Sequence, residues 1–413
     1  MINKWIKLDN AAKIFPSAVS KSNTLVFRFS CELLEPVDAI ILQEALDRTV
    51  DEFDVFQYVL RRGLFWYYFE TTTLRPAVRE EYKSPCSPLY DRGVRALLYE
   101  VTYYRTRINF EIYHALTDGT GALHFMELLV IKYLSLAHSR PEPTTYYDAS
   151  QAQMGDDSFE RFSSSERIKR NKPENGYQLR GARYAENRLS VIRGTMELSS
   201  ALQAAHRCSA TLTALLCGAL MNAIGTTMPV RAKHKPVVIA VPVNLRKYFP
   251  SVSARNFFAI VFVKRSFDPV NLPTIEETAA QFGADLTAQL NTENLTADIN
   301  AHAVAERNLF ARITPLPLKD FILRRAYMLS QRRATATLSN VGSVKLPTEL
   351  EKYVRSFSVC NGTNKIQACV CSFAGRLCVE FTSPFVSSDV QRVFFRTLTQ
   401  LGIEVEISAN RLE

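Results

Sequence analysis

The sequence predicts a mixed α/β protein of two similarly built lobes, and three observations predict it. The chain has 413 residues, long for one ordinary hydrophobic core. Both halves interleave short strand-like runs with helical runs. Between them, Pro141 to Gly181 is rich in Ser, Asn, Asp, Glu and Arg and poor in aliphatics, the composition of a connection. The chain thus divides into an N-terminal lobe over 1–165, a linker over 166–187 and a C-terminal lobe over 188–413.

In the first half, Thr24 to Glu32 alternates as a strand. Val37 to Phe53 has helical spacing behind Pro36. Gln57 to Arg61 and Leu64 to Glu70 form a hairpin around Gly63. Val94 to Tyr103 and Thr106 to Tyr113 make a second strand pair, and an apolar helix follows from about Gly121 to Ala137. The second half restarts with a strand near Arg188 to Leu198, then helices at Ser200 to Arg207 and Leu212 to Thr226. Strands follow at Pro236 to Val243 and Phe257 to Arg265, and two or three helices fill Thr274 to Arg333. Four strands come next, at Ala334 to Ser339, Val354 to Val359, Ile366 to Phe373 and Arg376 to Thr382, before a helix at Ser387 to Leu401.

Composition narrows the function classes. A net charge of +9 admits an anionic ligand without naming one. No long Lys/Arg block, zinc-finger spacing or RNA-binding aromatic signature occurs, so nucleic acid is not an expected partner. Met1 to Asn10 lacks the apolar segment of a secretory signal, and runs such as Phe257 to Val263 and Ala214 to Ile224 are short for a bilayer. The expectation is a cytoplasmic protein, monomeric, with no integral membrane segment. Eight cysteines lie mostly inside apolar runs, and the four from Cys360 to Cys378 lack paired ligand knuckles. Buried free thiols are expected, and no metal.

The chemistry sits in Tyr113-His114-Ala-Leu-Thr-Asp118-Gly119, where a strand delivers a histidine to a turn that opens a helix. With 6 His and 15 Gly in the chain, such a spacing arises by chance about 0.01 times. Imidazole titrates near neutrality and suits general-base work. Aspartate four residues on is poorly placed for a triad and better placed to hold the loop. Gly119 allows a positive φ or a close approach. A lone histidine at a strand end is often only a hydrogen-bonded core residue; the strand–turn–helix context favours function. His124, in the following helix, reads as structural or exposed, and His138, His206, His234 and His302 have no partner spacing. No paired catalytic carboxylates and no nucleophile elbow are visible, which disfavours glycosidase and serine-hydrolase chemistry.

This arrangement resembles the HxxxD acyltransferases of the chloramphenicol-acetyltransferase-like and condensation-domain superfamily, and most closely bacterial alcohol-acetyltransferase-like proteins. Three further segments agree: Trp5 to Pro16; Val241-Pro-Val-Asn244-Leu-Arg246 with Arg255-Asn256-Phe257-Phe258; and Thr337-Leu-Ser339-Asn340-Val-Gly342. The resemblance covers almost the whole chain. It implies two chloramphenicol-acetyltransferase-like lobes with the active site in the channel between them. It implies His114 as general base, with Asp118 turned away from substrate and paired with Arg246. Thr337, Ser339 and Asn340 match the positions that face the cleft, as oxyanion or substrate-binding groups. The implied reaction moves an acyl group, acetyl or another short one, from coenzyme A to a hydroxyl through a direct tetrahedral intermediate. Coenzyme A is then a co-substrate, not a tightly bound cofactor, and a small molecule is the acceptor.

One departure matters. Relatives with HHxxxDG carry a histidine where this chain has Tyr113. That disfavours a condensation-type amide synthase fed by an acyl-carrier protein, which stands as an alternative beside a catalytically silent binding relative. The basic residues that would meet the donor are not fixed. Arg324, Arg325, Arg332 and Arg333 are candidates, against a solvated helix face. The apolar and basic segment Leu318 to Leu329 fits packing between lobes or contact with a membrane.

Overall fold

Alternation explains the first sheet. In the computed structural model, which describes residues 4–142, 155–164, 174–268, 272–307 and 312–410, the early strands are β1 (Trp5–Lys7) and β2 (Val26–Leu33). β3 (Tyr58–Arg62) and β4 (Tyr67–Thr71) form the expected hairpin. β5 (Arg79–Glu80), β6 (Tyr99–Tyr104) and β7 (Arg107–Tyr113) complete the first half. Phe27, Phe29 and Cys31 of β2 bury into an apolar core, while Arg28 faces the other way and pairs with Glu111 of β7 at 2.8 Å. The apolar face is covered by the helices Ala39–Val50 and Gly119–Ala137. Asp38 caps the first, accepting from the N–H groups of Ile40 and Ile41. Phe125 of the second stacks on Phe110 of β7 with ring centroids 4.5 Å apart. Gly119–Ala137 is long and apolar enough to cross a membrane, but most of it is buried in this core.

The second half supplies β8 (Ser190–Glu197), β9 (Val237–Asn244), β10 (Phe258–Arg265) and β11 (Ala336–Ser343). Then come β12 (Val354–Asn361), β13 (Gln367–Phe373), β14 (Arg376–Ser383) and β15 (Glu406–Ala409). Seven of these strands form a mixed sheet in the order β10-β9-β11-β13-β14-β8-β15, with β11 parallel to both neighbours. The helices Leu212–Thr227, Ile275–Gln289 and Asp389–Gln400 pack on its apolar face. The helices Leu198–Arg207, Thr292–Arg307 and Leu316–Gln331 lie where helices were expected.

β12 does not join this sheet. It pairs antiparallel with β2, from Val354 opposite Leu33 to Asn361 opposite Phe27, giving the order β12-β2-β7-β6-β5. A strand from beyond residue 188 therefore completes the sheet of the first half. Most of the polar Pro141 to Gly181 stretch lies outside the described residues; within it, Ser158–Phe162 is a short helix capped by Asp157.

Two boundaries differ from the sequence reading for local reasons. β6 starts at Tyr99 instead of Val94, because Gly93 turns at φ +93 and leaves Val94 exposed. Asn340-Val-Gly342 is not the end of a strand but a bulge within β11, where the register shifts and Gly342 takes φ +92. All eight cysteines are buried free thiols.

Candidate functional site

β7 ends at Tyr113 and delivers His114, whose backbone N–H donates to the Leu25 carbonyl at 2.8 Å. Asp118 then caps the Gly119–Ala137 helix, its Oδ1 accepting from the N–H groups of Thr120 and Gly121 at 3.1 Å each. Such a cap stabilises a helix by about 1 kcal/mol. Oδ2 accepts from Arg246 Nη1 at 2.7 Å and from the Phe257 N–H at 2.8 Å. One carboxylate thus ties the turn after β7 to the segment that enters β10.

Arg246 lies just past β9, and its remaining donors are spent on carbonyls. Nε and Nη2 reach the Ser253 carbonyl at 2.9 and 2.7 Å, and Nη2 reaches that of Arg255 at 2.5 Å. Both partners of the ion pair are largely buried. The pair braces the site and is not arranged for proton transfer.

The structure moves the glycine requirement. Gly119 has no positive φ, and a Cβ there meets only the Val341 side chain at 3.4 Å. At Gly121 a Cβ would lie 2.2 Å from the Ala254 carbonyl oxygen. The close approach therefore belongs to Gly121, where the turn meets the second half.

The His114 ring is half-buried among Phe15 and Phe27, each 5.0 Å away between centroids, and Phe258 at 5.5 Å. Its Nδ1 sits 3.1 Å from Asn256 Oδ1. The amide of Asn256 is itself fixed: its Nδ2 faces Asp9 Oδ2 at 3.2 Å and the Ala115 carbonyl at 3.4 Å. A carbonyl only accepts, so the amide turns its NH2 that way and its oxygen toward His114. Nδ1 must then carry the hydrogen, and Nε2 keeps its lone pair. Asp9 is in turn held by the Ala12 N–H at 2.7 Å and by Arg255, whose Nε lies 3.7 Å away. Burial pushes the His114 pKa below its ordinary value. Its own backbone carbonyl, Asp118, Asn256 and the Thr117 carbonyl pull it partly back.

Asp9 and Asn256 lay inside segments singled out in the sequence, but no spacing rule linked them to His114. Asn256 follows it by 142 residues. His124 is not a free surface group: burial, then the charge of Arg246, pushes it down to about 4. Tyr113 is fully buried and stacked on Tyr90 at 5.2 Å.

Thr337 and Ser339 occupy one side of β11, opposite Leu338, which points into the second core. Ser339 is in register with Cys369, whose side chain packs in the first core. The two hydroxyls therefore face the first half. The Asn340 side chain is engaged locally, donating to Thr213 Oγ1 at 3.0 Å and accepting from the Gly342 N–H at 2.9 Å. Its neighbour Val341 is the residue that reaches Gly119. An inter-lobe cleft of about 710 Å³ is lined by Arg28, Glu81, Arg107, Arg193 and Glu380 among others, and His114 is not part of its wall.

No family model and no curated protein matches the sequence. Solved structures do match along nearly the full length. TRI101 from F. graminearum, solved with coenzyme A and T-2 mycotoxin, aligns with a TM-score of 0.66 at 10% identity, covering 97% of this chain and 99% of that one. Polyketide synthase associated protein 5 from Mycobacterium tuberculosis aligns at 0.60 and 15% identity, covering 96% and 97%. The first condensation domain of the CDA synthetase aligns at 0.61 and 12% identity, covering 97% and 95%. Over nearly its full length the chain therefore shares the mixed α/β fold of these solved structures, a condensation domain among them.

Proposed function

We propose that this protein is an acyltransferase that moves a short acyl group, such as acetyl, from a coenzyme A thioester to a hydroxyl acceptor, with His114 as general base. The observation that carries the reading is the oriented imidazole: the Asn256 oxygen faces Nδ1 and favours the tautomer with Nδ1–H, in which Nε2 is the atom that takes a proton. Its depressed pKa keeps the ring neutral at pH 7, the state a base needs. In the proposed step, Nε2 takes the hydroxyl proton while the oxygen adds to the thioester carbonyl. The tetrahedral intermediate collapses by breaking the carbon–sulfur bond, and the imidazolium returns the proton to the departing thiolate. Thr337 and Ser339, whose hydroxyls face the first half, are the candidate oxyanion donors, and Asn340 acts through the bulge it holds. The fold shared with a protein solved with coenzyme A supports the choice of donor.

The test is mass spectrometry of protein incubated with acetyl-coenzyme A and a panel of alcohols and amines. Acylated alcohol is expected from the wild type, with a loss of about 10²–10⁴-fold in His114→Ala. Equal turnover by a folded His114→Ala protein overturns the mechanism.

A further inference from the structure

The helix Leu316–Gln331 is sorted by charge and polarity in an unusual direction. Its only acidic residue, Asp320, is buried: it accepts from Ser17 at 2.6 Å and from Tyr67 at 2.9 Å. Its only lysine, Lys319, turns inward too, donating to the Phe65 carbonyl at 2.7 Å and lying over the Trp66 ring at 3.3 Å. The outward face carries Leu318, Phe321, Ile322, Met328 and Leu329, each between 53% and 60% exposed. These residues recur at helical spacing and form one stripe, with Arg325 in its middle. Arg324 on the flank and Arg332 just past the end are exposed as well. The tip of the β3–β4 hairpin extends the stripe. Leu64 is 73% exposed, and its carbonyl accepts from the Leu316 N–H at 2.9 Å. The exposed face of this helix therefore holds apolar and cationic side chains and no carboxylate.

A soluble surface seldom exposes so continuous an apolar stripe without a partner. The charge pattern selects the partner. Arginines within an apolar face suit a surface that is apolar inside and anionic at its boundary, where the guanidinium stays with the headgroups and the side chains beside it enter the acyl region. We propose that this helix and the adjoining hairpin tip dock the protein reversibly on an anionic phospholipid bilayer. The same helix packs on Phe15–Ala18, and Phe15 lies against His114. Docking would set the catalytic histidine two layers from the lipid boundary, within reach of an acceptor or donor with an apolar tail.

The test is co-sedimentation of the full chain with vesicles of phosphatidylcholine alone and with 30% phosphatidylglycerol. Binding is expected to the anionic vesicles, and to fall with salt. Phe321→Ser combined with Ile322→Ser should abolish it. Arg324→Glu with Arg325→Glu should weaken it at least tenfold, since each basic group at such a surface contributes about 1 kcal/mol. Arg376→Glu with Arg396→Glu makes the same change in net charge at exposed sites of the second half and should leave binding within about twofold. All these positions are exposed, so circular dichroism should report an intact fold. Equal loss in the Arg376/Arg396 control, no vesicle binding by the wild type, or a dimer in sedimentation velocity that Phe321→Ser dissolves would each overturn the proposal. All three readouts are independent of acyl transfer.

Discussion

Asn256→Leu is the perturbation that probes the site most directly. In the wild type the imidazole Nδ1–H donates to Asn256 Oδ1 at 3.1 Å, within a pocket of aromatic rings. Leucine is close to asparagine in size but offers no acceptor. An orphaned buried donor costs about 1–3 kcal/mol. Because the backbone carbonyls of His114 and Thr117 also interact with the ring, the lower part of that range applies. A bias of about 1–2 kcal/mol toward the other tautomer removes the competent form by roughly 5- to 30-fold. The assay is 15N-histidine NMR, which reads the protonated ring nitrogen without any substrate. Nδ1–H is expected in the wild type and a mixture with Nε2–H in the variant. Once an acceptor is in hand, kcat should fall by the same factor. The acid limb of the pH profile should also move to lower pH, because the lost hydrogen bond was raising the pKa. Finding Nε2–H in the wild-type protein would refute the reasoning, and so would an unmoved acid limb in a variant that has lost activity.

Other outcomes follow from the same geometry. Arg246→Met strands the buried Asp118 and should destabilise the fold by about 3–5 kcal/mol, the three backbone N–H donors to Asp118 favouring the lower end; across a chain of this length that lowers Tm by about 3–6 °C in calorimetry. Gly121→Ala should be destabilising by several kcal/mol in urea titration, since its Cβ lands 2.2 Å from a backbone oxygen. Gly119→Ala, with 3.4 Å to a side-chain methyl, should stay within about 1 kcal/mol. Wild-type activity should decline as pH falls, with a midpoint below 6.5, because the depressed imidazole must be unprotonated to act. Kinetics should be sequential, and intact-mass measurement after donor alone should show no acylated protein, as the thiols are buried and direct transfer needs no acyl-enzyme.

The elements that could be read from the sequence are those whose signal is local. Asp118 and Arg246 were legible because a turn motif and a strand-end arginine each carry their own pattern, and the structure brings them to 2.7 Å. Asn256 and Asp9 were not, because their link to His114 exists only after the entry to β10 and the N-terminal segment meet at one turn. Gly119 was chosen over Gly121 because φ freedom is a sequence-level argument, whereas a clash with the Ala254 carbonyl is a tertiary fact. The membership of Val354–Asn361 was invisible for the same reason. Its alternation declares a strand, and nothing local tells which sheet receives it.

That crossing strand has a consequence for how the protein is made. β2 is complete by residue 33, but the neighbour that covers its free side ends at residue 361. At about 5–20 residues per second on the ribosome, the interval is roughly 15 to 65 s. During it, the nascent first half presents an unpaired row of backbone groups beside Phe27 and Phe29, the template on which chains stick to one another. Production of folded protein should therefore depend on chaperones that shield this edge during synthesis. A truncation ending before Val354 should aggregate even though it keeps His114, Asp118 and Arg246.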